Sequence, residues 1–582
     1  MIEDTAAGRW YLAAFPSGTS GRTMRVMAAP GLADSPRTWC DLAENLYFDG
    51  LGEAGAIVAL KAALALYPDD LDLVRALAET EYRTGAEAAA RDRLAPLADQ
   101  DAAAAILLLT FDRQQKRLDR AVLMRAADLV LNVAPWGAVH EDFIQLCRDG
   151  GVPELGVQFL SAWLTHRGMS LWPYLRAGEL MLEAGELAGS ARVLLDLWGR
   201  NPTATELVGP WTGIPDDDAA TEARILDEIE HAFAIPDEDL PVHPLPDCAR
   251  DPADVTVLYL GAEQASSGVA AANDLAGHFA AAARAAGGRF IPWLDSTLSA
   301  VRIGPCSDSE LCRRKEAFLA ELERVRPDIL LCDSQTVPGL RFPTVPEIRE
   351  LKARLGFKLV HVSRDSLRAV DNQMQLWADV ADHILLFDPC AYVLRDPEHR
   401  DLAAKAFAIP VPAVHPPFVP SGRPPQHQLL FVGSTFAPHR SFLLAGLASA
   451  DIGLELVIGE KRRQLAPDDG AYAGLLASSR AVLNVAAHAA GESGRLVTGR
   501  VWETIASGSL LVEQLHEGTA RFFQPWRHFI PWSEPADIIK RWRVLSRHED
   551  VRARIAAEAH GWAQRHYGVD KVWRAIIAHA LG

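Results

Sequence analysis

From Val255 to Gln514 the chain alternates short apolar runs with helical stretches, and it does so twice, on either side of a proline-rich break. The first series is VTVLYL (255–260), RFIPW (289–293), DILLCD (328–333), KLVHVS (358–363) and HILLF (383–387), with helices predicted over 273–286, 310–325 and 345–355. The second is LLFVG (429–433), LELVIG (454–459), AVLNVA (481–486) and LLVE (510–513), with helices predicted over 439–450, 471–477 and 500–507. An unbroken apolar run is buried on both faces, and strands separated by helices are joined by crossovers. Together these require parallel sheets covered by helices on both sides, so two doubly wound α/β lobes are expected. The segment 411–428, VPAVHPPFVPSGRPPQHQ, holds too many prolines for an internal strand or helix and reads as a stiff connector between them.

Ahead of this lies a region of another kind. From Arg37 to about Ala204 the apolar period is helical, and it recurs on a longer scale. Ala90 and Leu94 lie 34 residues after Ala56 and Leu60, and Gly185, Leu194 and Leu197 lie 34 after Gly151, Leu160 and Trp163. Tyr47, Ala63 and Pro68 complete one unit, Leu77, Ala78, Gly85 and Leu97 the next, and Tyr174, Ala177, Gly178, Met181 and Pro202 the cleanest copy. About five helix pairs of a tetratricopeptide-like superhelix are expected, with 104–136 as a degenerate pair. Such a stack offers an extended groove for a peptide or protein, or serves only as a structural or dimerising module. The Pro- and Asp-rich stretch 210–254, around one predicted helix at 219–233, reads as a linker. The expected organisation is an N-terminal segment 1–36, a helical domain and linker 37–245, a first lobe 250–412, a connector 413–428 and a second lobe 429–582.

Composition narrows the classes. The 582 residues carry a formal net charge of −18, which argues against a general nucleic-acid binder, whose footprint is basic. No apolar run reaches the roughly 20 residues of a membrane span, and the N-terminus lacks a secretory pattern, so a cytoplasmic location is expected. The seven cysteines are dispersed without CxxC pairs or histidines at zinc spacing, which fits reduced thiols and no metal site.

In open α/β sheets the ligand crevice lies at the carboxyl ends of the strands. In the first lobe that rule selects Asp333, His361, Asp365 and Asp388 without discriminating among them. In the second it selects the stretch 480–514, where a strand, a Gly-rich loop (487–499) and a helix start follow one another. Arg500 and Glu503 are three apart on that helix and share a face. By themselves they read as either a surface ion pair or a binding pair.

The two lobes joined by a proline connector resemble the GT-B glycosyltransferase architecture. The second lobe is similar to the CgeB-type, glycosyl transferases group 1 family through FVGSTFAPHR (431–440), the strand bearing Asn484, RVWETIASGSLLVEQ (500–514), FFQPWRHFIPW (522–532) and the tail 551–573. In that tail His566 and Tyr567 are in place, while the arginine expected later is Lys571 or is displaced to Arg574. The resemblance implies a bacterial, metal-independent transferase without cofactor. Its co-substrate would be a nucleotide-sugar, its product a nucleoside diphosphate, and its acceptor plausibly a protein or peptide docked by the repeat. Homo-oligomerisation is compatible with it. Glu503 matches the glutamate that grips ribose hydroxyls, and Arg440 the arginine that faces the diphosphate. Arg500, Gly433, Ser434, Asn484, Lys461 and Arg495 complete the expected donor site, with Lys461–Arg463 placed on a loop. For an inverting reaction the expected base is Asp365, then His361. Two other outcomes fit the same residues: a scaffold with inactive lobes, or a GT-B-like epimerase.

Overall fold

The computed structural model describes residues 6–7, 9, 34–46, 52–115, 117–167, 171–186, 189–194, 219–261, 274–295, 308–333, 343–363, 374, 377–395, 397–434, 438–486 and 496–582. They fall into two compact units. One comprises Met1–Leu155, Asp295–Arg324 and Gln335–Gly356, the other Gly156–Leu294, Val325–Ser334 and Phe357–Gly582.

The first unit is helical, with helices at Pro36–Leu46, Gly52–Leu66, Leu71–Arg83, Glu87–Leu94, Ala102–Gln114, Arg120–Leu131 and Ala138–Asp149. Its helix pairs close with the same device. Gly85 and Gly151 have left-handed φ of 82° and 68°, and the N–H beyond each reaches back to the helix it leaves: Ala86 to Glu81 O and Val152 to Cys147 O, both 2.9 Å. Gly185, which opens the last pair in the second unit, repeats the turn with φ 82° and Glu186 N–H on Met181 O at 2.8 Å. A side chain at that φ is disfavoured, so glycine is the residue that lets the chain turn there. Ion pairs tie the helices of this region together: Arg75 to Asp101 at 2.7 Å, Arg91 to Asp112 at 2.8 Å and Arg113 to Asp149 at 3.0 Å. The buried Glu81 carboxylate takes two nitrogens of Arg93, at 2.9 and 2.8 Å. Helices Asp308–Val325 and Val345–Leu355 are joined by Lys315 and Glu347, 2.9 Å apart.

The second unit contains both sheets. Strands β1 (Thr256–Gly261), β2 (Arg289–Leu294), β3 (Ile329–Asp333), β4 (Lys358–Ser363), β5 (His383–Leu386) and β6 (Ala406–Ala408) form a parallel sheet in the order β2-β1-β3-β4-β5-β6. Strands β7 (His427–Val432), β8 (Leu454–Val457), β9 (Ser479–Asn484), β10 (Leu510–Gln514) and β11 (Ile530–Trp532) form a second, β11-β10-β9-β7-β8, also parallel. The order reverses between β1 and β3 in the first and between β7 and β9 in the second. At such switch points neighbouring crossovers leave in opposite directions and open a crevice.

Four features differ from the sequence expectation. The three-residue strands β6 and β11 carry too few residues to show a period. Lys461–Arg463 lie in a helix, Gly459–Leu465, instead of a loop. The 210–254 segment is packed down from residue 219 onward: Ile225 and Ile229 of helix Ala219–Phe233 join the second lobe's core, and Arg527 donates to Ile235 O at 2.7 Å and pairs with Asp237. Last, helix Val569–Leu581, which closes the second lobe in sequence, buries Val572, Trp573, Ile576 and Ile577 in one core with Val257, Tyr259 and Phe279 of the first. That core continues through Tyr567, Trp502 and Phe522 into the second lobe.

Candidate functional site

At the β7/β9 switch point Gly433 and Ser434 leave β7, and Asn484 ends β9. A Cβ on Gly433 would stand 3.3 Å from an Arg500 Nη, so the glycine lets that guanidinium lie against the strand end. Arg500 is further held by Asn484 Oδ1, which accepts from its Nη1 at 3.2 Å, and by the Phe431 ring 5.5 Å beneath it. Arg440, in helix Pro438–Ser449, donates from Nη1 to Ser434 O at 3.1 Å. Burial first, and the nearby Arg500 charge second, pull Arg440 down to about 10. Two guanidiniums that repel one another beside a strand end form a place where an anion is stabilised.

Glu503 lies one turn after Arg500 in helix Gly499–Ala506 and is 5% exposed. Its Oε2 accepts from the Tyr472 hydroxyl at 2.8 Å, and burial, with Glu503 next, raises the Tyr472 pKa. Its Oε1 is 3.6 Å from Nε2 of His278, a buried histidine of helix Asp274–Ala285 in the first lobe. His278 Nδ1 meets His415 Nε2 at 2.8 Å. Glu503 and His278 line a cavity of about 230 Å³ together with Leu275, Ser363, Asp388 and Val411 from the first lobe side and Leu496–Gly499 from the second.

Asn484 is a brace. Its Nδ2 donates to Thr498 Oγ1 at 3.0 Å and to the buried Glu513 Oε2 at 2.7 Å, while its Oδ1 holds Arg500. Lys461 lies in its helix with Nζ 3.0 Å from Glu455 Oε1, and Glu455 also takes His427 at 2.6 Å. Among the first-lobe candidates, Asp333 accepts from the Tyr259 hydroxyl at 2.7 Å. His361 is fully buried and stacked on Trp377 with ring centroids 5.6 Å apart, and burial pushes it down to about 4. It does not line the cavity. Asp388 does, but its carboxylate accepts from Cys390 N at 2.8 Å and Val497 N at 3.4 Å, and burial raises its pKa. Asp365 and Arg495 lie outside the described residues.

The sequence reading missed His278, His415 and Tyr472. His278 carried a faint signal: it is the one histidine in the alanine-rich run LAGHFAAAARAA (275–286) of the helix following β1, where an apolar face needs no imidazole. His415 and Tyr472 had none, because their partners, His278 and Glu503, lie far from them in the sequence.

Residues 434–578 match the family model described as glycosyl transferase-like. Two doubly wound lobes behind a helical region, with the last helix crossing back to the first lobe, form the GT-B arrangement. Solved structures similar to the chain include HepE (Alr3699) of Anabaena in complex with UDP and glucose, at 10% identity over 55% of this chain and 98% of that one, TM-score 0.38. A Thermobaculum terrenum O-GlcNAc transferase mutant matches at 12% identity over 96% and 97%, TM-score 0.35. Sucrose-phosphate synthase of Thermosynechococcus elongatus matches at 11% over 55% and 97%, TM-score 0.40. No curated protein matches the sequence.

Proposed function

We propose that this chain, whose residues 434–578 are glycosyl transferase-like, moves a glycosyl group from a nucleotide-activated donor to an acceptor, without a metal ion. One observation carries this reading: Arg440 and Arg500 converge on the end of β7 at the switch point, and Glu503, one turn from Arg500, lines the cavity beside them. A nucleoside diphosphate leaving group needs cations for its two phosphates and a carboxylate for its ribose diol. Charge grows on the phosphates as the glycosidic bond breaks, so fixed guanidiniums act most strongly in the transition state. Gly433 and Ser434 provide the close approach, Asn484 fixes Arg500, and Lys461 and Arg495 complete the proposed donor set.

For a reaction that needs a base, we assign Asp365 ahead of His361. Asp365 follows Ser363, which lines the cavity, by two residues, whereas His361 is fully buried away from it. The acceptor is proposed to be a polypeptide, because the same chain carries a stack of helix pairs, the kind of surface that holds extended peptides.

The test is direct. The full chain, in chelator-treated buffer, is incubated with a panel of nucleoside diphosphate sugars. Nucleoside diphosphate release, and a raised unfolding temperature with one nucleoside diphosphate, are expected; a ligand at 100-fold its Kd stabilises by about 2.7 kcal/mol. Neither release nor protection with any member of the panel would overturn the proposal and leave a scaffold role. Conversion of the donor sugar without acceptor would mark an epimerase.

A further inference from the structure

A primary amide accepts at its oxygen and donates at its nitrogen, so Asn484 could face Arg500 in either of two ways. Only the oxygen can hold a guanidinium, which carries donors alone. The choice between them is made on the far side of the amide, by Glu513. In the parallel pair β9–β10 Asn484 lies opposite Glu513, so the two side chains leave the sheet on one side. Glu513 is fully buried, and both of its oxygens accept: Oε2 from Asn484 Nδ2 at 2.7 Å, and Oε1 from the Thr519 hydroxyl at 3.3 Å, with His516 Nε2 3.4 Å away. The amide's other hydrogen goes to Thr498 Oγ1 at 3.0 Å. Turned over, Asn484 would set its oxygen against the Glu513 carboxylate and its N–H groups against Arg500. A buried carboxylate deprived of its donor costs more than an ordinary lost hydrogen bond, so the amide stays as it is. Glu513 itself does not touch Arg500. Among the described residues no carboxylate pairs with that guanidinium, which is held instead by the neutral Asn484 oxygen at 3.2 Å.

We infer that Glu513 is a positioning residue of the proposed donor site: it locks the Asn484 amide with its oxygen toward Arg500, and so aims an uncancelled positive charge at the end of β7. The inference rests on the nucleotide-donor reading above and adds to it a residue of β10 that touches no ligand. Its physical reason is a separation of two tasks. A carboxylate placed directly on Arg500 would fix the guanidinium but also neutralise it, and the anion of a leaving diphosphate would gain less from it. With a neutral amide between them, the carboxylate supplies direction and the guanidinium keeps its charge.

The full chain is titrated calorimetrically with ADP, CDP, GDP, UDP and dTDP, and the tightest of them is carried forward. Glu513→Gln keeps the side chain's shape but adds an N–H that can turn the amide over, and it is expected to weaken that diphosphate about tenfold or more. In an Arg500→Ala background the same change should cost no further affinity, because Glu513 acts only through Arg500; a merely structural role would lower affinity there as well. The reciprocal pair, Glu513→Gln with Asn484→Asp, exchanges amide and carboxylate. It is expected to regain the denaturant midpoint lost in either single change but not the affinity, since a carboxylate now touches Arg500 directly. If Glu513→Gln alone does not fold, the reciprocal pair carries the test. Unchanged affinity in Glu513→Gln, an equal loss without Arg500, or a reciprocal pair that fails to fold or binds as tightly as the intact chain overturns the inference and leaves the donor proposal standing. Failure of the intact chain to bind any of the five diphosphates overturns both.

Discussion

Glu503, Arg500 and Asn484 behave differently as single residues because their partners differ. Glu503→Ala removes an acceptor from the cavity wall together with the carboxylate that takes the Tyr472 hydroxyl, so nucleoside diphosphate affinity should fall at least about tenfold in a calorimetric titration. Asn484→Ala acts one step back. It leaves Glu513 without its 2.7 Å donor and Arg500 without its brace, and we expect a loss of about 1–3 kcal/mol in denaturant unfolding together with weaker nucleotide binding. A histidine far from the cavity sets a pH limit. His528 is buried with Nδ1 accepting from Gln524 N at 2.9 Å, and burial first, then Arg527 and Arg565, push it down to about 3. Between the ordinary histidine range near 6.5 and about 3, the unfolded chain binds a proton that the folded protein refuses, so stability rises with pH in that window and is lost as pH falls through it. Unfolding temperatures measured from pH 7 down to pH 4 should decline, and His528→Asn should flatten the decline. At this scale the sequence made Arg500 and Glu503 legible through their spacing on a helix start. It left Asn484 undistinguished as a brace, because bracing depends on Glu513 and Thr498 arriving from other elements.

At the scale of elements, helix crossings and turns are where the sequence was most informative. Gly178 in helix Leu171–Glu183 lies so close to its neighbour that an added Cβ would stand 2.4 Å from Leu194 Cγ, and Ser190 Oγ donates to its carbonyl at 2.7 Å. Gly178→Ala should therefore destabilise by about 1–3 kcal/mol through overpacking, read as a lower denaturant midpoint. Gly185→Ala introduces no clash, since nothing lies within 4 Å of its Cβ direction, but it forces an L residue to φ 82°. Its cost of about 1 kcal/mol would come from the backbone alone. Gly185 was visible through its 34-residue spacing from Gly151, and Gly178 as a small residue of the cleanest repeat copy, because helix pairs repeat a local need. The strands β6 and β11 were not visible: three residues fit several conformations, and it is the neighbouring strand that selects one.

At the scale of the whole molecule, the second unit holds together through a helix that sequence order assigns to the wrong lobe. Val569–Leu581 follows the second lobe, yet Trp573 packs on Phe279 and Phe290 with centroids 6.4 and 5.8 Å away, and a Cβ on Gly288 would meet its Nε1 at 2.5 Å. Trp573→Ala should cost about 3–5 kcal/mol. Deleting residues 569–582 should open the first lobe to limited proteolysis while leaving the second comparatively resistant; equal resistance of both lobes would show that the shared core matters little. What the sequence determined by itself were features encoded in neighbours along the chain: alternating strands and helices, the turn glycines, the apolar runs buried on both faces and the helix carrying Arg500 and Glu503. The tertiary structure alone decided which strands lie side by side, that the 219–233 helix and the last helix complete cores laid down elsewhere, and that His278 faces Glu503. These are contacts between residues tens to hundreds of positions apart, and a local period carries no information about which distant surface will bury it.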